Sequence, residues 1–364
     1  MQARTLHMAG VFRFSNAVSD ISKFIQTYRS IYEHFYPMTS RGEYFGHKDA
    51  YQFLANNGLA SSLGAIGAEA IRRSERDDTS RDPLYNQHKM YSEIYRMLGW
   101  YEPGSMQTNF NLPEYGDYIA HSDDDTVAKL FALNVLHIVS PNPLTEIKGR
   151  NILRPFPLIL KMMGKLDGII ARDELILTVL ACPDDREENY VEEAVERIKA
   201  IRKAGTNKLR EEIVKLKAAV GVASDDVLPN YTRFPIAAMK WTNWAEGVNL
   251  RGIYKDKSVK FLKLTDDGKE ALRRVQSAVD IRYQDLSKYT REENAAFVVW
   301  SNLYQLGKVG FDISGYSKEM RDLEATADSI FADFRVKDYS ELLFFGYQES
   351  PRDILKLGNS LLGD

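Results

Sequence analysis

The acidic run Asp123-Asp-Asp125, followed about twenty residues later by Glu146-Ile-Lys148, spells the pattern of a metal-dependent nuclease. In that chemistry carboxylates hold a divalent cation, and a lysine positions or helps to activate the attacking water. Asp125, Glu146 and Lys148 are the residues that would do it. However, Pro141-Asn-Pro143 sets the Glu146 segment in a loop, whereas carboxylates that share a metal need a rigid strand beneath them, so the match reads as a coincidence of letters. Asp267-Gly-Lys269 fits the same short pattern but is accounted for as a helix start. The sequence has no Gly-x-Gly-x-x-Gly, Walker loop, His-Glu-x-x-His or Gly-x-Ser-x-Gly. Cys182 is the single cysteine, which excludes an intramolecular disulfide and a Cys-rich zinc site. The six histidines are scattered; His34 and His47 could approach one another and read as packed or surface residues. No cofactor is implied.

Binding is better supported than catalysis. The formal charge of −3 gives no overall attraction to a polyanion, so local charge has to decide. Glu196 to Lys217 holds eight Lys or Arg against three acidic residues, Arg202 and Lys208 among them, and Tyr231 to Arg274 holds ten against five. In the second segment Arg233, Lys240, Arg251, Lys255, Lys257 and Lys260 alternate with Trp241, Asn243, Trp244 and Tyr254. That mixture suits phosphate contact by Lys and Arg and base-edge contact by Asn and Arg. Arg72, Arg73, Arg76 and Arg81, followed by Gln87 and Lys89, form a second cationic cluster.

The elements that would carry these residues are mainly α, in a multidomain helical protein, since 364 residues exceed one ordinary core. Ile21, Phe24, Ile25, Tyr28, Ile31, Tyr32 and Phe35 recur every three or four positions and predict a helix ended by Pro37. Further helices are expected over 48–56, 85–98, 190–204, 207–220 and 291–306. Residues 99–116 read as strand, Pro-Gly turn, strand and helix start after a helix. The order recurs more clearly in a helix from Arg233 to about Glu246, a strand from Leu250, a charged turn over Lys255–Lys260, a strand to Leu264, and a helix capped by Thr265. A helix followed by a two-stranded ribbon resembles a winged helix. The pattern divides the chain into 1–140 and 226–310 as winged-helix-like domains suited to recognition, 141–225 as a helical connector and 311–364 as a C-terminal extension or linker. The opening Met-Gln-Ala-Arg-Thr-Leu-His lacks the apolar run of a signal peptide and no stretch has the length of a membrane span, so the expected location is the cytoplasm with no membrane partner.

Four ordered segments carry a resemblance: Phe12-Arg-Phe-Ser-Asn; Thr79-Ser-Arg-Asp82 before Leu98-Gly-Trp-Tyr; Asn151-Ile-Leu-Arg-Pro-Phe-Pro-Leu with Asp173-Glu-Leu; and Val195-Glu-Arg-Ile-Lys-Ala-Ile-Arg202. Their order over residues 10 to 270 resembles the recognition region of the AlwI and BstNBI family of type IIS restriction and nicking endonucleases. The resemblance implies that Arg13 and Arg81 lie close to DNA and that the partner is double-stranded DNA bearing a short asymmetric site. It also implies a nuclease domain or subunit, which would require Mg2+. No counterpart of that domain's acidic cluster is evident here. Two other readings stay open: a complete metal-dependent endonuclease using Asp125, Glu146 and Lys148, and a winged-helix regulator or scaffold.

Overall fold

The computed structural model describes residues 10–15, 18–104, 108–113, 115–142, 144–145, 151–337 and 342–343. The apolar stripe read from the sequence forms α1 (Ile21–Thr39), and all seven of its predicted stripe residues are buried. Pro37 lies inside the last turn instead of ending it; a proline there forfeits one backbone bond, and the helix runs only two residues further. Next come β1 (Phe45–Gly46), α2 (His47–Asn56), α3 (Gly67–Ser74) and α4 (Pro83–Met97). Asp82 fixes the start of α4, its carboxylate accepting from Leu84 N at 2.9 Å and Tyr85 N at 3.1 Å ahead of a proline in the first position. After it come β2 (Glu102–Pro103), β3 (Asn109–Asn111), α5 (Tyr115–His121) and α6 (Asp124–His137).

A second series opens with α7 (Pro155–Lys165), β4 (Ile169–Ala171) and α8 (Arg172–Leu175), which continues into a π-helical turn over Ile176–Leu180. It goes on through α9 (Tyr190–Ala204), α10 (Thr206–Ala219), α11 (Val227–Tyr231) and α12 (Arg233–Trp241) to β5 (Ala245–Gly252), β6 (Lys255–Leu264) and α13 (Asp266–Ser277). β7 (Val279–Asp280), α14 (Arg291–Lys308), α15 (Ser317–Asp333) and β8 (Leu342–Leu343) complete the described elements, with β7 and β8 parallel.

The two series share a plan. Each has a helix, a short strand, further helices and then a hairpin, and the first strand pairs with the last, giving antiparallel orders β1-β3-β2 and β4-β6-β5. The ribbons expected from the sequence are therefore three-stranded sheets. β1 and β4 are two and three residues long, too short to show alternation, which is why the sequence pattern missed them.

The chain divides into two compact units, each assembled from two separated stretches: Met1–Phe24 with Ile138–Gln276, and Ile25–His137 with Ser277–Asp364. The element pattern suggested consecutive segments instead, because local periodicity carries no information about which distant stretches pack together. The first unit is centred on Phe14, whose ring lies 4.9 Å from Phe12, 5.9 Å from Phe156 and 5.3 Å from Phe234. The second is centred on Tyr28, Tyr95, Trp100 and Tyr101, with Tyr28 donating to Trp100 O at 3.0 Å and Trp100 to Asn134 Oδ1 at 2.8 Å. In that unit His47 packs on His88, Nδ1 to Nδ1 at 2.9 Å, while His34 stacks on Phe53 at 4.0 Å. Burial pushes His47 down to about 4, helped by Arg96 and Lys89, and burial with His47 and Arg96 holds His88 well below the usual range.

The packing is testable at two places. In α13, a Cβ on Gly268 would stand 1.9 Å from the carbonyl oxygen of Trp244. Alanine normally gains about 1 kcal/mol over glycine within a helix, but this clash is with backbone that cannot turn aside. Gly268→Ala should therefore lower stability by about 1–3 kcal/mol, seen as a reduced melting temperature; an unchanged or raised one contradicts the packing. For the histidine pair, the unfolded chain takes up protons below about pH 6.5 that the folded pair refuses. Stability should be complete above that pH and fall toward about pH 5, by up to about 1.4 kcal/mol per pH unit per histidine. Replacing both with Gln should flatten the profile in that window; a wild-type melting temperature constant across it would refute the buried neutral pair.

Candidate nucleic-acid interface

Helix α12 is held by one face and offers the other. Phe234, Pro235, Ala238 and Met239 are buried, Phe234 within the phenylalanine cluster, while Arg233 and Lys240 are exposed and Ile236 and Ala237 half-exposed between them. The helix stops at Trp241, short of the end expected near Glu246, because Asn243 turns the chain at φ +57° into β5. The hairpin turn also differs from expectation. It lies at Ile253-Tyr254, between Gly252 (φ +86°) and Lys255 (φ +56°), so Lys255, Lys257 and Lys260 stand on strand β6 and not in a loop.

The hairpin is anchored by Glu174 on α8, which is fully buried. Its carboxylate accepts from Arg202 Nε at 2.7 Å and Nη2 at 2.9 Å, from Tyr254 Oη at 2.5 Å and from Ala171 N at 2.8 Å. Arg202 also donates to Ile169 O at 3.0 Å. Burial opposes the Arg202 charge, and the hydrogen bonds and charge of Glu174 more than reverse this, raising its pKa; burial and the nearby carboxylate raise Tyr254. The sequence expectation that Arg202 meets DNA is thus corrected: its guanidinium is spent inside the fold. Asn243 is exposed and donates to Asp267 Oδ2 at 2.7 Å.

Two adjoining hollows, of about 410 and 350 Å³, lie against α12. Arg172, Ile236 and Lys240 line both; Val259 and Lys260 line the first, and Asn230 and Arg233 the second. Arg172 is the residue that sequence reasoning missed; its only signal was a position opening the Asp173-Glu-Leu helix. Gly247 lies beside two of these lysines. A Cβ there would meet Lys240 Nζ at 3.2 Å and Lys260 Cε at 3.7 Å, so the glycine lets two lysines lie together over β5.

Charge balance separates this surface from the other basic segments. Among the described residues, Arg233, Lys240, Arg251, Lys255, Lys257 and Lys260 are exposed and have no side-chain hydrogen bond or ion pair. On α9 and α10 most cations are neutralised: Arg197 by Glu212 at 2.7 Å, Lys199 by Glu196 at 2.9 Å, and Lys208 and Lys215 by Glu211 and Glu212, whereas Lys203 and Arg210 are exposed without an ion pair among the described residues. The hydrogen bond from Arg197, reinforced by the lysines, holds Glu212 at about 2. Lys208 therefore contributes no free charge. The Arg72–Arg81 cluster is also paired in part. Arg72 and Arg73 lie on α3 and share Glu69 at 2.8 and 2.6 Å, and Arg81 stands 3.5 Å from Asp78 in a short helical turn. On α4 Lys89 is exposed and Gln87 half-buried, and Arg13 is half-buried between the core residues Phe12 and Phe14.

The nuclease letters do not assemble into a described site. Asp123 caps α6, accepting from Thr126 N at 2.8 Å, Asp124 pairs with Arg29 at 3.0 Å, and Asp125 is exposed in the first turn. Glu146 and Lys148 lie outside the described residues. Among the described residues no three of His, Cys, Asp or Glu come together to hold a metal ion, and no helix is long and apolar enough to cross a membrane.

No family model matches the chain, and no curated protein matches it. Among solved structures it is similar to the BpuJ1 endonuclease binding domain, solved in complex with pyrene- and phenanthrene-modified DNA. The likeness is 13% identity and a TM-score of 0.39, over 73% of this chain and 84% of that one.

The buried anchor is open to mutation. Glu174→Gln leaves Arg202 buried without its counter-charge and should cost about 3–5 kcal/mol, whereas Tyr254→Phe removes one hydrogen bond to a charged group and should cost about 1.5–3 kcal/mol. Denaturant titration reads both. Equal, small losses for the two variants would contradict the buried ion pair.

Proposed function

We propose that the surface formed by α12, β5 and β6 binds double-stranded DNA in a sequence-specific manner, and that the chain is the recognition part of a type IIS restriction endonuclease. The observation that carries the DNA reading is the concentration on this one helix and hairpin of cations unpaired among the described residues, in a chain whose other basic segments are mostly neutralised internally. The helix–strand–helix–hairpin order with strand order β4-β6-β5 supports a winged-helix-like docking: α12 enters the major groove and the cations of the hairpin lie along the sugar-phosphate backbone. α4 with β2 and β3 repeats the plan and is the second unit expected to grip the same asymmetric site.

The type IIS assignment rests on the ordered segments that resemble the AlwI and BstNBI family. Their residues are largely structural here. Phe12 and Phe14 are core, Asp82 caps α4, and Glu174 of one segment binds Arg202 of another. They support a shared framework, while the base-reading residues lie elsewhere. Cleavage in this reading belongs to a nuclease domain or subunit that requires Mg2+.

Binding of a short duplex by fluorescence anisotropy across a salt series tests the reading. Affinity should fall steeply with salt, and Lys257→Ala with Lys260→Ala should reduce the slope by up to about two, since each phosphate that is no longer neutralised removes about one. Lys199→Ala with Lys215→Ala should leave it unchanged. Equal effects of the two double variants would remove the case for this surface.

A further inference from the structure

The exposed face of α12 is narrow enough to specify what it reads, given the DNA reading above. Arg233, Ile236, Ala237 and Lys240 recur at helical spacing and form one stripe. Lys240 directs its ammonium over Gly247 beside Lys260, on the hairpin side, where two like charges suit a shared phosphate. Arg233 stands at the first position of the helix, the end from which recognition helices reach base edges. Its planar fork matches the O6 and N7 acceptors of guanine. One turn on, Ile236 and Ala237 offer only apolar surface, which suits the 5-methyl group of thymine and gives nothing to the exocyclic amine of cytosine. Asn243, the amide next in sequence, is held by Asp267.

We propose that α12 reads a guanine through Arg233 and a neighbouring thymine through Ile236 and Ala237, with Lys240 and Lys260 on the backbone phosphate. The test begins with enrichment from a random duplex library by the whole chain. If the wild-type chain retains no duplex, the DNA reading itself fails before any variant is made. If a motif is enriched, it should contain an adjacent guanine and thymine. Replacing that guanine with 7-deazaguanine, or the thymine with uracil, should then weaken binding, the former by roughly 5- to 100-fold. Arg233→Ala, a substitution at an exposed position whose folding is checked by circular dichroism, should erase the preference at the guanine while retaining binding to unrelated duplex. A motif without guanine, or an Arg233→Ala variant that loses affinity equally for every duplex, overturns the guanine assignment. Indifference to uracil overturns the thymine assignment.

Discussion

Glu174 is fully buried, and a carboxylate in such a place is tolerated only if its surroundings supply what water would have supplied. Four donors do so. They come from α9, from the hairpin turn and from the junction of β4 with α8, so one side chain fixes the first strand, the inserted helices and the tip of the hairpin relative to one another. Removing Glu174 or Arg202 leaves the other buried charge unpaired, which is a stronger constraint than apolar packing alone would impose. The consequence for function is geometric. Tyr254 pins the turn, and Arg251, Lys255 and Lys257 on either side of it are therefore presented from a defined position instead of a loose loop.

The distribution of charge has the same origin in local pairing. Net charge is −3, yet one helix and one hairpin carry at least six exposed cations that nothing among the described residues neutralises. Outside that surface, glutamates at helical spacing pair with Lys199, Lys208 and Lys215 of α9 and α10. At physiological ionic strength fields reach only about 8 Å, so a polyanion approaching the molecule responds to the local surplus and not to the total. A mildly acidic remainder also limits indiscriminate adhesion, which favours selection between sequences over bulk affinity.

Helices were the legible part of the sequence. The stripe from Ile21 to Phe35, the break at Gly205 and the Thr265 cap all appear where periodicity and capping chemistry put them, with Thr265 Oγ1 accepting from Gly268 N at 3.0 Å. Short strands were not legible, because two or three residues show no alternation, and the hairpin turn was displaced because Gly252 and Lys255, both at positive φ, tighten it ahead of the charged run. Of the residues proposed to bind, Arg233, Lys240, Lys257 and Lys260 were visible from composition. Arg202 was misread for a reason that composition cannot reveal: its partner lies 28 positions away, and only the fold brings Glu174 to it. Arg172 escaped notice because a single arginine at a helix start has no signature until α12 and β6 converge on it.

The central claim is that the surplus cations of α12 and the hairpin form the DNA surface, and lysine footprinting tests it most directly. Acetylation of the whole chain by a water-soluble reagent, with and without an excess of duplex DNA, reports each lysine by mass spectrometry. The account predicts protection of Lys240, Lys257 and Lys260 by duplex, with Lys199 and Lys215 modified to the same extent in both samples. Protection of Lys199 and Lys215 with Lys240, Lys257 and Lys260 unaffected would contradict it.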